Sequence, residues 1–166
     1  MKEKLGPRTF RFMMNLWPCY RGTGGRVTHI SPDWKELRIR IPLNLQTRNY
    51  VGSIFGGSLY GAVDPPYMLM LIRLLGPAYV VWDKAATIRF LKPGRTALFA
   101  TFRVDDAELA EIRRRLETEP KIDRTYRVAL ADADGTVHAE VDKIIQIRKK
   151  EAQTEEERRS AEARAR

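Results

Sequence analysis

Apolar and polar residues alternate along several short segments of the chain, which is the pattern of half-buried β-strands. The clearest is 37–41, where apolar residues alternate strictly with arginines, so that one face of the strand is buried. Turn residues join the last two β-rich segments through Asp132-Ala133-Asp134-Gly135, a sequence typical of a β-hairpin. The pattern predicts six strands in all, at residues 27–30, 37–41, 79–91, 96–104, 124–131 and 136–147.

Three other segments have the character of helices. Residues 56–75 are apolar almost all round and predict a buried central helix. Residues 8–16 are typical of a short amphipathic helix that stops near Pro18. Residues 105–119 predict an extra surface helix, because two aspartates suit its N-terminus and Pro120 ends it.

The order of these elements indicates the fold class. One buried helix among about six strands lacks the regular alternation of a doubly wound α/β protein. An antiparallel sheet wrapped around one helix fits better, so the sequence predicts an α+β fold. We expect a single domain over residues 1–148, with the N-terminal helix included. Residues 149–166 form a charged tail without large apolar side chains, expected to be frayed helix or disordered.

Charge and cysteine content narrow the function classes. The formal net charge is +9, yet residues 1–26 alone carry six basic side chains and one acidic one. Since no basic face with interleaved aromatic residues is recognisable, we do not expect nucleic-acid binding. The single cysteine, Cys19, excludes an internal disulfide and fits a reducing compartment. The longest apolar stretch, 67–75, is too short for a transmembrane segment and no secretory signal is recognisable, so we expect a cytoplasmic protein.

The segment from Asn49 to Asp64 carries the candidate chemistry. A polar loop leads into Gly56-Gly57 at the predicted start of the central helix. The first N–H groups of a helix have no partner inside it, and the helix dipole is positive there. Such donors suit a carbonyl oxygen that becomes negative during acyl transfer. Asp64, about two turns further on, is then the candidate base or nucleophile.

The same segment resembles a motif of the hotdog-fold thioesterase superfamily. Its pattern is Asn49-x-x-Gly52-x-x-Phe55-Gly56-Gly57-x-Leu59-x-x-x-x-Asp64. This is similar to the Asn-x-x-Gly-x-x-His-Gly-Gly…Asp signature of the phenylacetate-pathway type of acyl-CoA thioesterases. Residues 90–94 resemble the strand-ending segment that follows the central helix there, while 14–18 and 81–85 look more like an uncharacterised bacterial branch. The resemblance covers about residues 10–148 and implies a hotdog fold, a curved antiparallel sheet of five or six strands around the helix.

The resemblance also implies roles for single residues. Gly56 and Gly57 would be the oxyanion donors, and Asp64, supplied across a dimer interface, would be the base or nucleophile. Phe55 stands where the family has its histidine, which removes a polar contact near the acyl group. Asp83 falls near the position at which the family often has a Ser or Thr to hold the attacking water. A second acid there would raise the pKa of Asp64 or simply pair with Lys84 or an arginine. The full set of residues implied to bind acyl-CoA, as substrate or ligand, is Asn49, Phe55, Tyr60, Asp83, Lys92 and Arg95, of which the last two could meet a CoA phosphate.

Simpler interpretations of these residues stay open in the sequence. Asp64 precedes Pro65 and Pro66, which is the pattern of an N-cap followed by proline at the first helical position. On this reading Asp64 only caps a helix over 65–75. The glycine pair could serve close helix–strand packing alone, and Tyr60 could belong to the core.

The sequence therefore favours a hydrolase of acyl-CoA or another acyl thioester. The alternative is a non-catalytic acyl- or lipid-binding hotdog protein, and a hydratase is the weakest candidate because no histidine lies in the motif. His29 and His138 lie far apart without cysteine partners, so no metal site and no cofactor are expected. We expect a homodimer, or a tetramer, because hotdog sites form between subunits and an open sheet leaves exposed edges.

Overall fold

A computed structural model describes residues 5–150, and six strands in it form one antiparallel sheet. The spatial order β1-β2-β4-β5-β6-β3 places the third strand of the sequence at an edge. The predicted hotdog architecture and the hairpin between the last two strands are confirmed. The strands are β1 (Arg26–Ile30), β2 (Glu36–Ile41), β3 (Tyr79–Phe90), β4 (Leu98–Arg103), β5 (Ile122–Ala131) and β6 (Val137–Lys149).

Two helices, α3 (Gly56–Val63) and α4 (Pro65–Leu75), lie against one face of this sheet, which we call the inner face. Strand alternation sends apolar side chains to that face, as the arginine-rich strand β2 illustrates: Leu37, Ile39 and Ile41 are at most 1% exposed. Tyr67 of α4 meets the Phe102 ring of β4 edge-on, with ring centroids 5.1 Å apart. The core thus fills the space between the sheet and the central helices.

The predicted central helix is present, but its hydrogen bonding breaks at Asp64. Asp64 keeps helical dihedral angles, φ −60° and ψ −56°, so the backbone turns through it into α4. Pro65 and Pro66 have no N–H groups to donate to the carbonyls one turn earlier. One of those carbonyls, on Ala62, accepts from the Tyr20 hydroxyl at 3.4 Å instead. The Asp64 side chain makes no capping hydrogen bond, which leaves it for other partners.

Three further helices surround this centre. α5 (Asp106–Thr118) confirms the predicted surface helix, and Asp105 caps it by accepting from the Glu108 N–H at 2.8 Å. α1 (Pro7–Leu16) matches the predicted N-terminal helix. α2 (Pro18–Gly22) was not predicted, because Pro18 begins a helix where the sequence suggested only an end.

Strand β3 contains a bulge that decides which of its side chains reach the inner face. Its pairing with β6 runs to Asp83 opposite Ile145 and resumes at Ala85 opposite Ile144, so Lys84 is the extra residue. Before the bulge the odd-numbered side chains face α4, and after it the even-numbered ones do. The inner face therefore carries both Asp83 and Phe90.

The charged tail predicted for 149–166 lies outside the described residues, apart from its first two. Lys149 is the last residue of β6, and the Lys150 N–H donates to the Ala78 carbonyl at 2.8 Å. Among the helices of residues 5–150, none has both the length and the apolar character needed to cross a membrane.

Candidate functional site

The start of α3 presents two unused backbone donors. Phe55 precedes the helix in an extended conformation, and its carbonyl accepts from the N–H groups of Ser58 and Leu59 at 3.0 and 3.1 Å. Neither the Gly56 nor the Gly57 N–H donates to a protein acceptor within the described part of the chain. Gly57 is exposed, so these donors are accessible from outside the fold.

Two aromatic rings occupy the space beside these glycines. A Cβ at Gly56 would lie 2.8 Å from the Phe90 Cζ, and a Cβ at Gly57 would lie 2.3 Å from the Phe55 Cε1. Both rings are more than half exposed. The glycine pair thus lies between two aromatic side chains at the surface.

A groove of about 410 Å³ runs beside this helix start. Its walls are mainly apolar, with Ile54, Leu59 and Pro93 among them, and Gly56 lies in its floor. Lys92 supplies a cation to the same groove, next to the end of β3. Apolar walls with a few polar groups are the usual composition of a site for an apolar ligand.

Asn49 also lines the groove, but its side chain is occupied by its own loop. Its Oδ1 accepts from the N–H groups of Val51 and Ser53 at 3.1 and 3.0 Å, and its Nδ2 donates to the Ser53 Oγ at 2.9 Å. The side chain therefore shapes the wall that leads into the glycine pair. Its predicted contact with a ligand remains a prediction.

Asp64 belongs to a cluster of charges on the inner face of the sheet. The Lys143 ammonium lies 2.5 Å from Asp64 Oδ1 and 2.8 Å from Asp83 Oδ1. The Tyr60 hydroxyl donates to the same Asp64 oxygen at 3.0 Å, and its ring centroid lies 5.6 Å from the ammonium. The Lys143 side chain is 0% exposed, whereas that of Asp64 is 41% exposed.

Burial and the neighbouring charges shift the pKa values of Lys143 and Asp83 in opposite directions. Burial alone lowers the pKa of Lys143, but the Asp64 and Asp83 carboxylates together outweigh it and raise that pKa above its ordinary value. Burial raises the pKa of Asp83 despite the opposing ammonium. Burial and the hydrogen bond to Asp64 both raise the pKa of Tyr60. The cluster therefore holds a charged lysine between two carboxylates.

The structure divides the candidate residues into two groups. Asn49, Gly56 and Lys92 share the groove, and Phe55 lies at its glycine end. Tyr60, Asp64 and Asp83 join Lys143 instead. Asp64 lies seven positions after Gly57, which corresponds to about 10 Å along the helix axis at 1.5 Å per residue.

One expectation for the charged residues needs correction, and one stays a prediction. Lys84 does not pair with Asp83, because the bulge directs Lys84 away, to Asp123 at 2.5 Å. Arg95 is exposed outside the groove that contains Lys92, and its contact with a CoA phosphate stays a prediction.

Lys143 is the site residue that sequence reasoning missed. The signal was present in β6, where Ala139, Val141, Ile145 and Ile147 alternate as buried positions and Lys143 shares their parity. A lysine at such a position indicates a buried partner, but the sequence does not say which carboxylates face it. Among residues 5–150, no group of three or more His, Cys, Asp or Glu side chains is arranged to hold a metal ion.

The sequence matches one family model, and its description names no activity. A family model described as "Domain of unknown function (DUF4442)" matches residues 6–147. No protein with a curated description matches the chain.

Solved structures share its fold. A Pseudomonas aeruginosa protein described as of unknown function and a probable thioesterase superimposes with a TM-score of 0.74 at 21% identity, over 84% of this chain and 93% of that one. A Chlorobaculum tepidum protein with unknown function gives 0.69 at 16% identity, over 88% and 98% of the two chains. A thioesterase from Haemophilus influenzae gives 0.66 at 9% identity, over 89% and 94%. The fold is therefore the hotdog fold.

Proposed function

The chain belongs to the DUF4442 family, and we propose that it hydrolyses acyl-CoA or another acyl thioester. The observation that carries this proposal is the pair of unused N–H donors at Gly56 and Gly57, which lie beside a mainly apolar groove. The thioesterase descriptions of two structural neighbours point the same way. The finer likeness to the phenylacetate-pathway type of thioesterase stays a prediction.

Each part of the site has a task in such a reaction. The glycine N–H groups would stabilise the oxyanion that forms when the thioester carbonyl is attacked. Asp64 would remove a proton from the attacking water, or attack the carbonyl itself. The carbon–sulfur bond then breaks, and the products are a carboxylic acid and a free thiol. The groove would hold the acyl group, and Lys92 would meet a phosphate of the carrier.

One chain alone does not complete this site in our proposal. The backbone positions of Gly57 and Asp64 are about 10 Å apart along the helix axis, whereas the Gly57 N–H must lie about 3 Å from the thioester oxygen and Asp64 must reach the same carbonyl directly or through one water. We therefore expect Asp64 to come from a second copy, in a homodimer or a larger assembly of dimers. The twelve-residue edge strand β3 offers a place for such contact, since it carries the exposed apolar side chains Trp82 and Phe90.

A panel of acyl-CoA thioesters tests the reaction. Acetyl-, hexanoyl-, decanoyl-, palmitoyl- and phenylacetyl-CoA are incubated with the protein, and a thiol reagent records the CoA released. We expect turnover of at least one, and a fall in kcat of about 100-fold or more for Asp64→Asn, which keeps the shape but removes the basic carboxylate. Turnover unaffected by Asp64→Asn would retain a hydrolase but reject this mechanism.

Mixing two inactive variants tests whether the site is shared between subunits. Gly57→Pro removes one donor at a first-turn position that tolerates proline, and the exposed Phe55 ring has room to move aside. A hybrid dimer of Gly57→Pro and Asp64→Asn chains, isolated through two different tags, contains one intact site if the residues meet across the interface. We expect about half of the wild-type activity per hybrid. An inactive hybrid would place both residues of each site on one chain.

The position of Phe55 favours a second candidate, a protein that binds acyl or lipid ligands without turning them over. Its ring lies against Gly57, where a histidine would stand in the related motif. If the acyl-CoA panel shows no turnover above background while acyl ligands co-purify with the protein, the binding function is the correct one.

A further inference from the structure

The lysine between the two aspartates has a role that the sequence did not suggest. We propose that Lys143 positions Asp64 for catalysis and that Asp83 is the counter-charge that holds Lys143 in place. This role rests on the proposed thioester hydrolysis. It makes Lys143 a positioning residue, since its buried ammonium touches Asp64 and not the substrate.

The location of Lys143 requires that its charge be compensated. Its side chain emerges from the inner face of β6 between Val141 and Ile145, both fully buried. Opposite it on β3 stands Ala86, whose small side chain leaves space for the lysine stem. A charged group is retained in such surroundings only when it is paired. Asp64 and Asp83, from two different elements, provide that pairing.

The contacts fix one oxygen of Asp64 and leave the other available. Both the Lys143 ammonium and the Tyr60 hydroxyl reach Oδ1, at 2.5 and 3.0 Å. A carboxylate held by two donors at one oxygen cannot rotate freely, so the direction of Oδ2 is set as well. The Asp64 side chain is 41% exposed, so a water molecule or a substrate can approach it. Fixed geometry of this kind is what a general base requires.

Asp83 compensates the charge of the Lys143 ammonium but does not orient it through a hydrogen bond. Its Oδ1 is buried and 2.8 Å from the ammonium, yet at an angle that makes no hydrogen bond. The bulge at Lys84 is what brings this carboxylate to the inner face. A purely structural explanation is that Lys143 only neutralises Asp83. The two explanations differ in what happens when both charges are removed together.

Two variants separate these explanations. Lys143→Met keeps the length of the side chain but leaves Asp83 buried without its cation, so we expect a lower urea midpoint of unfolding and a loss of activity. Asp83→Asn in the same chain removes the unpaired charge, so Lys143→Met/Asp83→Asn should recover a higher midpoint than Lys143→Met. Its kcat should nevertheless remain about 100-fold below wild type, because Asp64 still lacks its positioning cation. KM should stay within about threefold of wild type, since Lys143 makes no substrate contact.

Lys149→Met is the matched control, because Lys149 lies on the same strand but is exposed. It should change neither the midpoint nor kcat. Recovery of kcat to within a few-fold of wild type in the double variant would reject the positioning role. A midpoint that does not recover would reject Asp83 as the counter-charge. Failure of the proposed function gives a different result, either a wild type inactive on the acyl-CoA panel or an Asp64→Asn variant as active as wild type.

Discussion

Gly25 lies in the turn after α2, where the backbone packs against Ala62 of α3. A Cβ added at Gly25 would lie 2.6 Å from the Cβ of Ala62, a residue that is 0% exposed. Carbon atoms pack at about 3.5–4.0 Å, so Gly25→Ala needs about 1 Å of extra separation. Neither Cβ can move away by side-chain rotation, and the backbone must shift.

The size of the effect follows from two opposing contributions. Overpacking of this kind costs about 1–3 kcal/mol. The backbone at Gly25 is outside the left-handed region, so alanine is not strained there, and the reduced freedom of the unfolded chain returns about 0.4–1 kcal/mol. We therefore expect Gly25→Ala to lower the free energy of unfolding by about 1–2 kcal/mol. Urea denaturation followed by circular dichroism measures this difference.

Two matched variants test the steric explanation. Gly22→Ala makes the same chemical change three residues earlier, where nothing lies within 4 Å of the added Cβ, and should leave stability unchanged or slightly higher. Ala62→Gly removes the opposing Cβ, so Gly25→Ala/Ala62→Gly should be more stable than the sum of the two single effects predicts. Strictly additive effects would refute the reasoning, because the loss would then not come from contact between these two atoms.

Two further outcomes concern the charges outside the core. Hydrogen bonds from Arg127 and Arg89 lower the pKa of Asp142 from 3.8 to about 2. The folded protein is therefore stabilised by these contacts above pH 3.8, and this stabilisation is lost as the pH falls towards about 2. Asp142→Asn should flatten this part of the acid-unfolding curve measured by circular dichroism, and an unchanged curve would contradict the assignment. Asp105→Ala should lower the free energy of unfolding in urea by about 1 kcal/mol, because it removes the acceptor for the Glu108 N–H. Asp105→Asn keeps an acceptor and should lose much less; an equal loss would mean that capping is not the cause.

Much of the fold could be predicted because local signals agree with the final packing. The alternation of 37–41 fixes one face of β2, and Gly135 suits the hairpin turn with a φ of +83°. Asp105 and Pro120 mark the ends of α5 for the same local reasons. In each case the residues that carry the signal are neighbours in sequence.

The charge cluster could not be predicted because its members meet only through tertiary structure. Asp64 and Lys143 are 79 positions apart, and the two residues lie on different elements, the central helix and β6. The proline step after Asp64 suggested a cap, yet the side chain forms ion-pair and hydrogen-bond contacts with other elements. Lys143 has the same odd-numbered spacing as the buried residues of β6, which indicated that it is buried. No pattern in the sequence indicated the bulge that places Asp83 beside it.

The bulge in β3 also has a consequence for redesign of the strand. Asp83 has odd parity and Phe90 has even parity, and both reach the inner face only because Lys84 is one residue too many for regular pairing. A straightened β3 of unchanged length would present one of these side chains and turn the other outward. Changes in the length of this strand are therefore not neutral: deleting one residue between Asp83 and Phe90 would match the spacing of their β6 partners, Ile145 and Ala139, and would make the pairing regular while both side chains stay on the inner face.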